Sequence, residues 1–198
     1  MEIGATKAVQ ERLKATQISE IKETSLVFCW DTHLAKIKRR NVLFIVNASN
    51  RYTIAMTDIE PRNWNHYTLY ISRVIHGVMQ QMGYLEDQIE QYFRMSGDTI
   101  VTKTHGKKSV GGINRMITDA QYFDKKFEKE TKYQWDLNEY LNRDICQPDG
   151  FDAYGYPREL FKLDMERLGI VPKRKPAKVI DFKAYVPVSY THLTLPTT

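Results

Sequence analysis

Between Leu26 and Thr57 stretches with a period of two flank a short run that is wholly apolar, and after Pro61 the apolar spacing widens to every third or fourth position. Leu26, Phe28 and Trp30 alternate with Val27, Cys29 and Asp31, and Ala35 and Ile37 alternate with Lys36 and Lys38. A period of two predicts strands. Val42 to Val46 is apolar at every position, the pattern of a strand covered on both faces. Ala48 to Asn50 reads as a tight turn, and Tyr52, Ile54 and Met56 then alternate with Thr53, Ala55 and Thr57. Links this short force an antiparallel meander, because a parallel crossover needs about a dozen residues or more.

The remaining spacing is helical. Ala5, Val9 and Leu13 mark a short helix over Thr6–Lys14; Ile71, Val74, Ile75, Val78, Met79 and Met82 form one stripe, and Leu85, Ile89, Tyr92 and Phe93 a second. Asp98 to Thr104 predicts a further strand. Ser109 is placed to cap a helix striped by Ile113, Met116, Ile117 and Ala120, and Tyr133, Leu137, Tyr140, Leu141 and Ile145 mark the next. After a Gly- and Pro-containing loop at 147–156, Pro157 opens a last helix that Gly169 and Pro172 close. The expected fold is α+β: an antiparallel sheet of four or five strands with helices packed on one face. The expected organisation is one domain over 1–146, a loop and C-terminal helix over 147–171, and a basic linker or arm over 172–187.

Residues 188–198 fit no periodic template. A permitted codon choice turns Val188–Thr197 into the transposon-end sequence of a common sequencing-library adapter, so this stretch reads as a translated scar and the natural C-terminus as truncated.

Composition narrows the class. The chain is 42% apolar and 27% charged, as in soluble globular proteins. No apolar run approaches the roughly 18 residues of a membrane span, and the N-terminus lacks a signal-peptide core, which predicts a cytosolic protein with no membrane partner. Cys29 and Cys146 are far apart and read as reduced packing residues; no Cys/His spacing marks a metal site, and no motif calls for a cofactor. The net charge is +5, but residues 172–187 carry +4 of it, leaving residues 1–171 at +1.

The order TK, Trp30, Arg39-Arg40, VNASNRY, TIVTKT, SVGGINRM and Leu141-Asn142-Arg143 resembles a bacterial family of domains of unknown function, over roughly residues 3–145. Where the family pattern has histidine directly after the tryptophan, this chain has Asp31, with His33 two places on. Some relatives resemble fusions to plasmid-encoded ORF-3-like domains, which implies a mobile-element neighbourhood and no particular activity.

Three stretches carry candidate chemistry. The loop KTHGKKSVGGINR, with Lys107, Lys108, Ser109 and Arg115, offers free helix-start N–H groups and positive charge to a phosphate. It is not a P-loop, since Val101 stands where that motif needs glycine. A capped helix with a solvated basic turn explains the same residues. The cluster Lys36, Lys38, Arg39 and Arg40, joined by Arg51 if the meander folds it alongside, presents charge for a nucleic-acid backbone or simply guards a sheet edge. Asp31 and His33 share a strand face and form a weak acid/base pair. The function expected is a non-catalytic interaction or regulatory module for an unknown protein partner, with nucleic-acid or phosphate binding as the alternative and an Asp31/His33 enzyme third.

Overall fold

The computed structural model describes residues 1–13, 18–23 and 25–173; the adapter-like stretch and nearly all of the basic arm fall outside them. Five strands form one sheet: β1 (Glu2–Ala5), β2 (Cys29–Ile37), β3 (Arg40–Asn47), β4 (Thr53–Thr57) and β5 (Ile100–Thr102), in the order β4-β3-β2-β1-β5. The α+β class and the β2-β3-β4 meander are as the periodicity predicts, with Ile45 opposite Thr32 and Ile54. Leu26–Phe28 is a 3-10 turn, and the two alternating stretches that follow are one continuous strand.

Two features differ from expectation. β1 inserts beside β2, and it pairs parallel with both β2 and β5, so the sheet is mixed. The return from β1 to β2 has room for a parallel crossover because residues 6–28 intervene, including α1 (Lys7–Leu13). The helices also cover both faces rather than one. On the first face Ile3, Trp30, Leu43, Ile45 and Ile54 pack against α3 (Tyr67–Gln81), which follows the short α2 (Pro61–Asn65), and against α4 (Glu86–Ser96) and α7 (Pro157–Arg167), the last through Phe161 and Met165. On the second face Ile37, Val42, Phe44, Val46 and Ala55 meet Ile113, Met116 and Ala120 of α5 (Lys107–Tyr122) and Leu137 and Leu141 of α6 (Trp135–Leu141). The unbroken apolar run of β3 requires this: a strand with Leu43 and Ile45 on one side and Val42, Phe44 and Val46 on the other leaves no face for water. None of the described helices is long and apolar enough to cross a membrane.

The outer edge of β4 is closed by the backbone of Lys132 and Gln134 and by two asparagine side chains, Asn138 of α6 and Asn142 at its C-terminal cap. Asn138 accepts a hydrogen bond from the Ala55 N–H at 2.6 Å and donates to its carbonyl at 3.1 Å; Asn142 does the same to Thr53 at 2.9 and 2.7 Å. Four helical residues advance about 6 Å and two strand residues about 6.6 Å, so carboxamides at i and i+4 match alternate residues of the edge. Here lies the physical content of Asn142 in the Leu-Asn-Arg stretch that marks the family resemblance.

Candidate functional site

The parallel register of β1 and β2 sets Glu2 opposite Cys29 and Gly4 opposite Asp31, all on the face toward α5. His105, from the loop between β5 and α5, closes over them. Its Nδ1 lies 2.7 Å from Asp31 Oδ1 and its Nε2 2.9 Å from Glu2 Oε2. Both ring nitrogens thus face carboxylate oxygens, which identifies a doubly protonated imidazolium between two anions. Asp31 also accepts the His105 backbone N–H at 3.0 Å and the Ser109 hydroxyl, while Glu2 Oε1 accepts the N–H groups of Lys22 and Glu23 at 2.6 and 2.8 Å.

Burial alone would lower the His105 pKa, but the hydrogen bonds to Asp31 and then Cys29 outweigh it and lift the pKa to about 11. Burial works in the opposite sense on Glu2, yet the bonds from His105 and the two N–H groups hold its carboxyl below the usual range. The Cys29 thiol is pushed up by burial. Asp31 is 0% exposed, Glu2 3% and His105 8%, so these groups bond to one another and not to solvent.

Gly4 is part of the same arrangement. A Cβ there would stand 1.8 Å from Asp31 Oδ1 and 3.0 Å from the Thr104 backbone. Since Asp31 is fixed by His105 and Ser109, it cannot swing aside cheaply. Gly4→Ala is expected to destabilise the fold by about 1–3 kcal/mol, read from the urea midpoint.

The structure pairs Asp31 with His105 and not with His33; the His33 ring instead lies 3.1 Å from Thr6 Oγ1, with its pKa lowered by burial. Ser109 does not cap α5. The helix begins two residues earlier behind Gly106, whose φ of 100° suits glycine, so the Ser109 hydroxyl turns inward to Asp31. Arg51 sits at the β3–β4 turn, roughly 23 Å along β3 from Arg40. It therefore does not join Lys36, Lys38, Arg39 and Arg40; it lies beside Lys108, Ser109 and Gly112.

Four of the eight basic candidates have acidic or carbonyl partners. Lys38 donates to the Phe123 carbonyl, Arg40 pairs with Asp58, Lys108 with Asp149 at 3.3 Å, and Arg115 with Asp119 and Asp144 at 2.9 and 3.2 Å. Lys36, Arg39 and Lys107 are exposed and make no ion pair among the described residues. Lys38 and Arg39, both at positive φ, form the two-residue β2–β3 turn.

A second exposed feature mixes aromatic and charged side chains. Tyr140, Arg115, Asp119, Arg143 and Asp144 line a notch of about 210 Å³ where α5 meets the end of α6. Tyr122, one turn beyond Asp119, is 77% exposed, and Ile145, next to Asp144, is 54% exposed. Sequence reading missed Glu2 and His105. The KTHGKKS stretch drew attention for its lysines, whereas the histidine between them carries the tertiary contacts.

Residues 2–160 match the family model DUF6933, a domain of unknown function. No curated protein and no solved structure matches the chain.

Proposed function

The chain belongs to the DUF6933 family, and we propose that it works as a non-catalytic interaction module whose docking surface is the notch between α5 and α6. The observation that carries this reading is the exposure of Tyr122, Tyr140 and Ile145 around paired arginines and aspartates. Tyrosine and arginine concentrate binding energy at protein interfaces because they combine large apolar area with directional polar groups. A partner chain that inserts an apolar side chain into the notch desolvates the tyrosines and meets Arg115, Arg143 and Asp144 at the rim. Burial of Asp31, Glu2 and His105 favours a structural role for them over turnover of a substrate.

The test uses Tyr122→Ala/Ile145→Ser, two exposed positions whose replacement leaves stability within about 0.5 kcal/mol. Proteins retained from nuclease-treated lysate by the wild type are identified, purified and titrated against both forms. Binding at least about 10-fold weaker to the variant supports the reading. Equal binding by both forms removes it.

Lys36, Arg39 and Lys107, exposed and without an ion pair among the described residues, favour a second reading, a nucleic-acid-binding accessory of mobile elements. In that case DNA or RNA binds at low salt, the affinity falls steeply as salt rises, and Lys107→Glu/Lys108→Glu weakens it. Fluorescence anisotropy with labelled oligonucleotides decides; no binding at low salt ends this reading.

A further inference from the structure

Glu2, Cys29 and His105 come from β1, β2 and the loop before α5, and one donor atom from each lies within 4.8 Å of the other two. We propose that these three side chains bind a divalent transition metal of the zinc class, which fastens β1 and the α5 loop to the middle of the sheet. This site is separate from the α5–α6 notch, and neither proposal depends on the other.

The donor set points to that class. A thiolate with an imidazole selects zinc and its neighbours over magnesium or calcium, which take oxygen ligands. In a tetrahedral site with bonds of about 2.0–2.3 Å the donors stand roughly 3.3–3.8 Å apart, so each must shift by only about 1 Å or less. The supporting contacts are already in place. Asp31 holds His105 through Nδ1 at 2.7 Å, which aims Nε2 at the metal position, the carboxylate–histidine arrangement found behind metal ligands. Asp31 is in turn held by the Ser109 hydroxyl and the His105 N–H. Glu2 Oε1 is occupied by the N–H groups of Lys22 and Glu23, which leaves Oε2, bonded to His105 Nε2 until that proton is displaced, as the donor.

The exchange leaves the net charge unchanged. Without metal the cluster holds two carboxylates and one imidazolium, a net charge of −1. Binding of M²⁺ displaces the Nε2 proton of His105 and the Cys29 thiol proton, both of which pass to buffer. The product contains two carboxylates, one thiolate, a neutral imidazole and M²⁺, again −1. The metal therefore enters a buried site without adding a buried charge, the term that otherwise opposes it. Cys29 is 0% exposed and Glu2 3%, so the metal is a staple for the fold. The ligands stand at positions 2, 29 and 105, a spacing that no short motif describes.

The test titrates EDTA-stripped full-length protein with Co²⁺ and separately with Zn²⁺. One cobalt per chain is expected to produce a near-ultraviolet thiolate-to-cobalt charge-transfer absorption that zinc abolishes. Zinc at about 100-fold over its dissociation constant raises Tm by roughly 5–10 °C. Asp31→Asn, which leaves all three ligands in place, weakens the affinity by about 10–100-fold. Cys146→Ser keeps the charge-transfer absorption and Cys29→Ser loses it. Wild-type protein with no such absorption and an unchanged Tm overturns the proposal, as does an absorption that depends on Cys146. Should Cys29→Ser fail to fold, the wild-type titration and the Cys146→Ser variant decide alone.

Discussion

His105→Ala is expected to lower the unfolding free energy by about 3–5 kcal/mol, measured by urea denaturation of EDTA-treated protein. Removing the imidazolium leaves Glu2 and Asp31 facing one another across a dry gap, each with its backbone or hydroxyl donors but without the shared counter-charge. Neither carboxylate can reach water without β1 or the α5 loop moving. The pH dependence identifies the mechanism. Folding raises the His105 pKa from 6.5 to about 11, so its contribution is complete below pH 6.5 and is lost progressively as pH rises toward 11. Glu2 is lowered from 4.5, so its contribution is present above pH 4.5 and is lost as pH falls. The groups that face the ring are Glu2 on β1 and Asp31 and Cys29 on β2, and together they put the cluster's greatest stabilisation between pH 4.5 and 6.5. The gap between wild type and His105→Ala is therefore widest near pH 6 and narrows through pH 8 to 10. A gap that stays constant or widens over that range contradicts the imidazolium assignment.

The double replacement Asn138→Ala/Asn142→Ala is expected to cost about 2–5 kcal/mol and to make the protein self-associate. Asn138→Ala leaves the Ala55 N–H without its partner, although the Ala55 carbonyl keeps the Gln134 N–H at 3.3 Å. Asn142→Ala removes both partners of Thr53. Each orphaned group costs about 1–3 kcal/mol where water is excluded, less where it can enter. The larger consequence is topological. β4 is the last strand of the sheet, and the asparagines occupy its hydrogen-bonding edge as a neighbouring strand would. Without them the edge is a template for another chain. Light scattering and size-exclusion chromatography at rising concentration report the association, with the exposed α5 substitution Asn114→Ala as a control expected to stay within about 0.5 kcal/mol of wild type. A monomeric double variant would show that the packing of Leu137 and Leu141 and the backbone bonds of Lys132 and Gln134 to Thr57 and Ala55 suffice to shield β4.

The amino-acid sequence by itself determined the β2-β3-β4 meander, the α3, α4 and α5 stripes and the α+β class, while α7 was marked by Pro157 and Gly169 at its ends. The strands and stripes rest on periodicity, and periodicity is local: whether Phe44 or Ile54 points into a core follows from its own side chain and the two-residue pleat. Even so, the run Val42–Val46 already implied cover on both faces, which the helices above and below β3 supply. Only the tertiary structure decided where β1 inserts, because four residues carry too little pattern to mark a strand and its partner β5 lies about a hundred positions away. The same holds for Glu2, Cys29, Asp31 and His105, whose proximity follows from the parallel register of β1 and from the loop after β5. It holds also for Arg40, Lys108 and Arg115, exposed charge in the sequence but tied in the fold to Asp58, Asp149, and Asp119 with Asp144. A salt bridge or buried cluster is a statement about two distant residues at once. No single residue type records it, and the chain reveals it only when the order of its strands brings those residues together.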